Sequence, residues 1–438
     1  MSKRQMHLVA VVTTGPHMGS WLHPQAENDY LNGEWWTGIA RTLEDAKFDA
    51  IFFADAQVFY GDEMVRKGGD LYLLDPVPLA AQIAAGTTKL GIGVTISTSL
   101  FQPYGIARAM GTLDVLSRGR MAWNVVTSVA DREAHRYGMS GLLPKSERYD
   151  RADEVVEAAI KLWESFPADA YVADRKSGLF IDPERLDGFE YEGRYVSTQG
   201  PLTVPPSEQG RPMIMQAGSS PRGRDFAAKW AEIVFTYQRN AEGMQAFRAD
   251  MNERLAKEGR APEDCAILPS IQVIVGETEQ IAYARRNHLY SLIDLDVALE
   301  RAASYTGLDL ASISPDATID DLDVEGLEGS GALDVFLGTM KKEGLTFGET
   351  ARRLALNDLG PELVGTPEQV ADMMQDMFEN WGNDGFIINP AVLPSAFEEF
   401  ARSVVPILQE RGLFRSDYSG STLREHVLAP AAEQPADR

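Results

Sequence analysis

Several side chains in this sequence are of types that bind or protonate a ligand and stand where neighbouring patterns would hold them at one surface. Gly119-Arg120-Met121-Ala122-Trp123-Asn124-Val125-Val126-Thr127-Ser128 sets a short apolar run behind a glycine and closes it in polar residues, as a buried parallel strand does when it delivers side chains to a site. The Asn124 amide both donates and accepts, which suits the edge of a heteroatom-bearing ring; core tryptophan and turn asparagine are the plainer readings of Trp123 and Asn124. Ser219 and Ser220 precede Pro221 and an Ala- and Phe-bearing helix, so amides and hydroxyls converge at a helix start. That geometry suits a phosphate and is compatible with ordinary capping by Ser220. Ser97, Thr98 and Ser99 offer short hydroxyls after another strand-like run, and Asp55 ends a further one, either at a site or as a cap. Tyr149 stands at the start of an amphipathic helix, from which a phenol reaches outward. His17, Trp21 and His23 follow the first strand; an imidazole near neutrality shuttles a proton or stabilises an anion, and His23 before Pro24 equally fixes a loop. His135 is a weaker candidate, and no metal-binding spacing is found among the histidines and carboxylates.

These residues need elements to position them. Strand-like runs are expected at His7 to Val12, Ala50 to Ala54, Lys89 to Ile96, Arg120 to Val126, Met213 to Ala217, Ile233 to Thr236, Leu268 to Val275 and Gly385 to Ile388. They alternate with helical patterns, the arrangement that builds a parallel sheet covered by helices. Ile106, Ala107, Met110, Leu113 and Leu116 recur at helical intervals before Gly119, while Ala152, Val155, Val156, Ala159, Ile160 and Trp163 form one face of a helix between Glu147 and Phe166. Thr366-Pro367-Glu368-Gln369 combines a cap, a first-turn proline and a returning glutamine, with Gly382 closing that helix; Ser395 is expected to begin the last helix similarly. Two stretches exceed a minimal barrel, 169–206 and about 298–359, and are read as insertions near the site, the second as a lid or a surface excursion. The tail 429–438 is expected to be disordered.

Composition narrows the function. With 438 residues, 44% hydrophobic and 24% charged, the chain has ample material for a core, and a barrel with insertions reaches this length as one domain, here 1–428. A net charge of −24 argues against a nucleic-acid-binding surface, which needs a basic footprint. Cys265 is the only cysteine, which excludes an intramolecular disulfide and a thiolate zinc site. The apolar run Leu8 to Val12 is too short for a secretory signal, and no stretch approaches the roughly 20 apolar residues of a membrane span. A cytoplasmic protein is expected.

The run Leu113 through Ser128 resembles the signature of the bacterial luciferase-like flavin monooxygenases, in the branch of nitrilotriacetate, dibenzothiophene-sulfone and long-chain alkane monooxygenases. The similarity extends through Gly19-Ser20-Trp21-Leu22-His23-Pro24, Lys47 to Asp55, Glu147-Arg148-Tyr149, Gln216-Ala217-Gly218-Ser219-Ser220 and Arg411-Gly412-Leu413-Phe414-Arg415. The resemblance implies a single (β/α)8 TIM barrel with insertions. It further implies reduced FMN as cofactor, contacted by Asp55, Thr98 and Asn124, with the phosphate near Ser219, Ser220 and Tyr149. A histidine is common in the family four residues before that tyrosine; this chain has Lys145, which would pair with phosphate as a point charge or simply be solvated. His17 and His23 are the catalytic candidates on the substrate face.

What the resemblance implies in function is a two-component monooxygenase. A separate NAD(P)H:flavin reductase supplies reduced FMN, and O2 and a small organic substrate meet at a flavin hydroperoxide. The absence of an evident Gly-x-Gly-x-x-Gly element agrees with reducing equivalents arriving on flavin. The alternatives are a deazaflavin-dependent oxidoreductase and a noncatalytic flavin-binding protein. A homodimer or homotetramer is expected; the substrate is not fixed by the shared motifs.

Overall fold

Alternate residues of a strand face opposite sides of its sheet, and in this chain both sides are apolar. In the computed structural model, which describes residues 4–218, 220–306, 313–322 and 331–428, eight parallel strands close into a barrel. They are β1 (His7–Val12), β2 (Ala50–Phe53), β3 (Gly91–Ser97), β4 (Met121–Val126), β5 (Met213–Gln216), β6 (Ile233–Thr236), β7 (Ala266–Val275) and β8 (Gly385–Asn389). Each pairs with the next, and β8 returns to β1. All eight fall where the sequence pattern places them, within two residues at each end.

Val9, Phe52, Ala122, Met215, Leu268 and Ile387 turn inward and fill the barrel, so it is a packed core and not a pore. Phe52 meets Phe235 edge-on across it. Their neighbours Leu8, Ile51, Phe53, Trp123, Val125 and Phe386 turn outward against the surrounding helices. Trp123 is therefore a core residue: it packs edge-on to Trp163 and donates its indole N–H to the Ile96 carbonyl at 3.0 Å. Asn124, one position on, faces the interior instead.

Helix ends follow local chemistry. Pro103–Leu116 stops where Arg118 and Gly119 take left-handed backbone angles, and Gly119 has φ +77°. Thr366 and Gln369 form the expected capping box on Pro367–Asn380. The helix Ser395–Ser403 differs from expectation in its cap and its place. Pro394 occupies the cap position without a side-chain bond, and two helices, Val405–Glu410 and Leu423–Leu428, follow it.

Between the helix Lys145–Glu164 and β5 the chain forms two short hairpins, Tyr171–Asp174 with Leu179–Ile181 and Glu190–Glu192 with Ser197–Gln199. After β7 it forms the helices Glu279–Leu292, Leu295–Thr306, Gly331–Glu343 and Phe347–Asn357. These share a separate apolar cluster that includes Phe336, Phe347 and Leu354 and reaches the barrel through Met18 and Met64. A short strand, Glu362–Gly365, then pairs with the second half of β7. The tail 429–438 lies outside the described residues.

Candidate active site

The strands are parallel, so their carboxyl ends and the loops that follow share one face of the barrel. Asp55 and Gln57 arrive there after β2. Gln57 donates to the Asp55 carboxylate at 2.6 Å. Burial, reinforced by the nearby Asp75 carboxylate, pushes the Asp55 pKa up to about 7. Asn124, 4% exposed on β4, donates to the Thr95 hydroxyl at 2.9 Å, and Thr95 in turn donates to the Phe53 carbonyl at 2.9 Å. A polar chain thus crosses β2, β3 and β4 at the mouth.

Beside it lies a cleft of about 230 Å³ whose lining includes Asp55, Ser97, Phe101, Ser128 and Glu133. Glu133 is buried because its carboxylate accepts from the Ser128 hydroxyl at 3.1 Å and from the Val129 and Ala130 amides, each at 3.2 Å. Ser128 also meets Ser97 at 2.9 Å, from a left-handed backbone with φ 55°, a conformation that tends to be held at functional sites. Thr98 is fully buried and spends its hydroxyl on the Val126 carbonyl at 3.1 Å, while Ser99 bonds the Thr127 carbonyl at 2.8 Å. Of the three hydroxyls, Ser97 is the one that lines the cleft.

A second group gathers after β5. Ser220 caps the ten-residue helix Pro221–Trp230, its hydroxyl accepting from the Gly223 amide at 3.1 Å. The Tyr149 hydroxyl lies 3.4 Å from the Gln216 amide nitrogen, and the Gln216 amide oxygen is buried without a protein partner. The two glycines let the backbone approach these side chains closely: a Cβ at Gly218 would stand 2.0 Å from the end of the Gln216 side chain and 3.0 Å from the Tyr149 hydroxyl, and one at Gly223 2.9 Å from that hydroxyl, so either would make those side chains shift. Burial raises the Tyr149 phenol, while Arg222, whose guanidinium lies 5.5 Å from the ring centre, acts in the other direction. Arg222 is itself tied to Asp150 and Asp153. Arg148 donates to the Ser128 carbonyl at 2.7 Å and so joins this group to the cleft. Lys145 is the exposed first residue of the same helix, one turn before Tyr149. Ser219 lies outside the described residues.

A third group holds His17. Its Nδ1 is 2.8 Å from Asp70 and its Nε2 is 2.8 Å from the Leu356 carbonyl. Both partners are acceptors, so the ring donates twice and is an imidazolium. Burial opposes that charge, but the Asp70 carboxylate, the Leu356 carbonyl and Asp358 together outweigh it and raise the His17 pKa. Asp70 also lies 3.7 Å from Arg301, which pairs with Asp358 at 2.6 Å, and Asp358 accepts from the Tyr237 hydroxyl at 3.0 Å. Loops after β1 and β6 are thereby tied to the helix Leu295–Thr306. His23 is placed differently. Its ring packs against exposed His288 with centres 5.5 Å apart, its Nδ1 accepts from the Gln25 amide, and burial with His288 and Arg285 lowers its pKa.

Sequence reasoning singled out neither Glu133, Arg148 nor the Asp70–Arg301–Asp358 set. Arg148 and Gln216 sit inside motifs already quoted, which was the available signal; Asp70 and Arg301 meet only through the fold. Among the described residues, no group of three or more His, Cys, Asp or Glu is placed to hold a metal ion.

Comparison with known proteins agrees with this architecture. The Luciferase-like monooxygenase family profile matches residues 18–385. The chain is 42% identical to dibenzothiophene-sulfone monooxygenase of Rhodococcus erythropolis (strain XP), covering 97% of each. It is 38% identical to N-acetyl-S-(2-succino)cysteine monooxygenase of Bacillus subtilis (strain 168), covering 100% of this chain and 98% of that one. The crystal structure of DmoA from Hyphomicrobium sulfonivorans superposes with a TM-score of 0.91 at 32% identity, covering 98% of this chain and 93% of that one. The motifs around Asn124 and Tyr149, the closed barrel and these full-length matches converge: the chain belongs to the luciferase-like monooxygenase family and is a flavin-dependent monooxygenase.

Proposed function

We propose that the chain is the oxygenating component of a two-component system, using reduced FMN from a separate NAD(P)H:flavin reductase and O2 to oxygenate a small organic molecule. The observation that carries this is the pairing, on one barrel face, of the polar chain through Asn124 and Thr95, with Asp55 beside it after β2, with a donor-bearing end at Tyr149 and the helix start at Ser220. FMN has these two ends. The Tyr149 hydroxyl, which accepts from the Gln216 amide nitrogen and keeps its own proton to donate, and the helix start at Ser220 beside the Gly218 and Gly223 gap fit a phosphate there.

Reduced flavin, when bound, reacts with O2 and supplies the oxygen atom that is transferred. The chain's own residues bind and orient. Ser220, Tyr149 and the helix amides hold the phosphate, and Lys145 adds a cation at the edge of that site. Asn124 fixes the ring, with Thr95 holding its amide in one orientation. Thr98 ties β3 to β4 so that this end of the barrel keeps its shape. We assign His17 to the substrate side as a fixed positive charge rather than a proton relay, because both of its protons are already donated. His23 secures its loop against His288. The four helices after β7 help exclude water from the reacting groups. The acting form in this reading is a homodimer or homotetramer.

The test is an anaerobic titration with reduced FMN, followed by 18O2 and a supplied reductase in the presence of candidate substrates. Saturable binding and one labelled oxygen in an organic product are expected. Failure to bind reduced FMN, or binding of a reduced deazaflavin in its place, would overturn the reading.

A further inference from the structure

Apolar side chains scattered singly over a surface need no explanation, but a bare strand ribbon that carries several of them does. The hairpin of Tyr171–Asp174 with Leu179–Ile181 is a sheet of two strands with no third beside it. Such a ribbon is marginal by itself. From Tyr171 to Phe180 every residue except Asp174 is exposed; Tyr171 is 49% exposed, Val172 40%, Leu179 38% and Phe180 62%. Tyr171 and Phe180 pack edge-on with ring centres 5.3 Å apart, which joins them into one patch.

The hairpin is an arm held in place at both ends. At its base the Asp182 amide donates to the Ala170 carbonyl and the Asp187 amide to the Ser165 carbonyl, each at 2.9 Å, and Arg185 pairs with Asp169 and, at 3.3 Å, with Asp182. At its turn the Asp174 carboxylate accepts from the Lys176 amide at 2.9 Å and from the Ser177 hydroxyl at 2.6 Å. A surface ordered in advance costs less to dock. Ala173 has φ 48° at a register shift between Tyr171 and Asp174, which spoils that edge for regular strand addition and leaves the side-chain faces as the contact surface.

Charge divides along the arm. The turn carries Arg175 and Lys176 against Asp174, whereas the base carries Asp169, Asp182, Glu184 and Asp187 against Arg185. Arg175, Lys176, Glu184 and Asp187 make no ion pair among the described residues. A chain of net charge −24 repels a copy of itself unless opposite charges are set against each other. A two-fold axis that lays two arms antiparallel does this: each basic turn lies over the other arm's acidic base, with the apolar side chains of both in between. Parallel arms would set turn on turn and base on base.

We propose that this hairpin is a dimerisation arm that docks antiparallel on the same hairpin of a second copy of the chain. The proposal rests on the homo-oligomer reading for there being a second copy and on the hairpin alone for where it docks.

The test is sedimentation velocity of the full chain over a concentration series at about 0.15 M salt. Phe180→Asp is expected to halve the mass of the main species and to weaken association by at least about tenfold. Arg175→Glu with Lys176→Glu, and separately Glu184→Lys with Asp187→Lys, should each weaken self-association, because like charges then face each other at both contacts. Mixing these two variants should restore association, since every turn then meets a base of opposite sign, and restoration also shows that both variants are folded. A chain that stays monomeric throughout the series overturns the arm and the homo-oligomer reading together. A homo-oligomer unmoved by Phe180→Asp and by both charge reversals overturns the arm alone and leaves its face to a different protein. Two weakened variants that fail to restore each other overturn the antiparallel docking.

Discussion

The His17 ring and the Asp70 carboxylate form a buried 2.8 Å pair that joins the loop after β1 to the segment before the helix Pro76–Gly86, and the other imidazole nitrogen clasps Leu356, 339 residues away in sequence. Breaking a buried pair leaves its partner uncompensated, although here Arg301 remains beside Asp70. His17→Gln is expected to lower stability by about 3 kcal/mol near pH 6, read from urea unfolding midpoints. The pH dependence has a definite sign. With the His17 pKa raised, its contribution is full below the unfolded value of about 6.5 and is lost as pH rises through the native value. With the Asp70 pKa lowered, its contribution is full above about 3.9 and is lost as pH falls through the native value. The penalty of His17→Gln should therefore shrink on going to strongly alkaline pH; a penalty independent of pH would show that the ring is not charged.

Asp55 works in the opposite direction. Its native pKa near 7 lies above the ordinary carboxylate value, so the folded protein binds the extra proton and loses stability as pH rises between the two. Asp55→Asn keeps a partner for Gln57 and removes the buried charge. It should raise stability at about pH 8 by about 1–3 kcal/mol and change little at about pH 4, as read from thermal unfolding.

Asn124→Ala removes the amide that the polar chain at the mouth presents and leaves the buried Thr95 hydroxyl short of a partner. A loss of about 1–3 kcal/mol in stability is expected. Anaerobic affinity for reduced FMN should fall by at least about tenfold. Unchanged affinity would remove Asn124 from the ring site.

Tyr149→Phe and Gly218→Ala probe the other end. The first deletes a hydroxyl 3.4 Å from Gln216; the second pushes a methyl into the Gln216 side chain and against that hydroxyl. Both should weaken FMN by roughly tenfold while leaving riboflavin, which lacks the phosphate, nearly unaffected. Equal losses for the two ligands would place the phosphate elsewhere.

Much of this was legible in the sequence, for reasons that differ by residue. Ala122, Asn124 and Val126 alternate with Trp123 and Val125, and strand periodicity alone fixes that they point one way and the tryptophan the other. Ser220 before Pro221 is a local signal, read by the chain within one turn. Thr98 shows the limit of such reading, since neighbouring hydroxyls look alike until the Val126 carbonyl takes one of them. Arg301 and Asp358 carry no periodic mark at all. Their meaning arises where a helix inserted after β7 lies against the mouth, and only tertiary structure brings Asp70 to them. The helices around Phe336 and Phe347 were similarly masked by the Gly-, Ser- and Asp-rich composition of the stretch that contains them.

The ten residues of β7 take two partners in succession within one sheet: Ile233–Thr236 pairs with its first half, and Glu362–Gly365 with its second, in the registers Gln272 to Glu362 and Val275 to Gly365. Gly276 and Gly365 are further joined by a 3.0 Å backbone bond, so the chain leaves and rejoins the barrel at adjacent points. The stem is zipped along the part of β7 that runs past β6, and loop-closure entropy grows only slowly with what hangs from it. Residues 277–361 thus hang from one clasp, and the barrel closes through β6, β7 and β8 independently of them, while Leu356, Arg301 and Asp358 reach back from that excursion to the mouth.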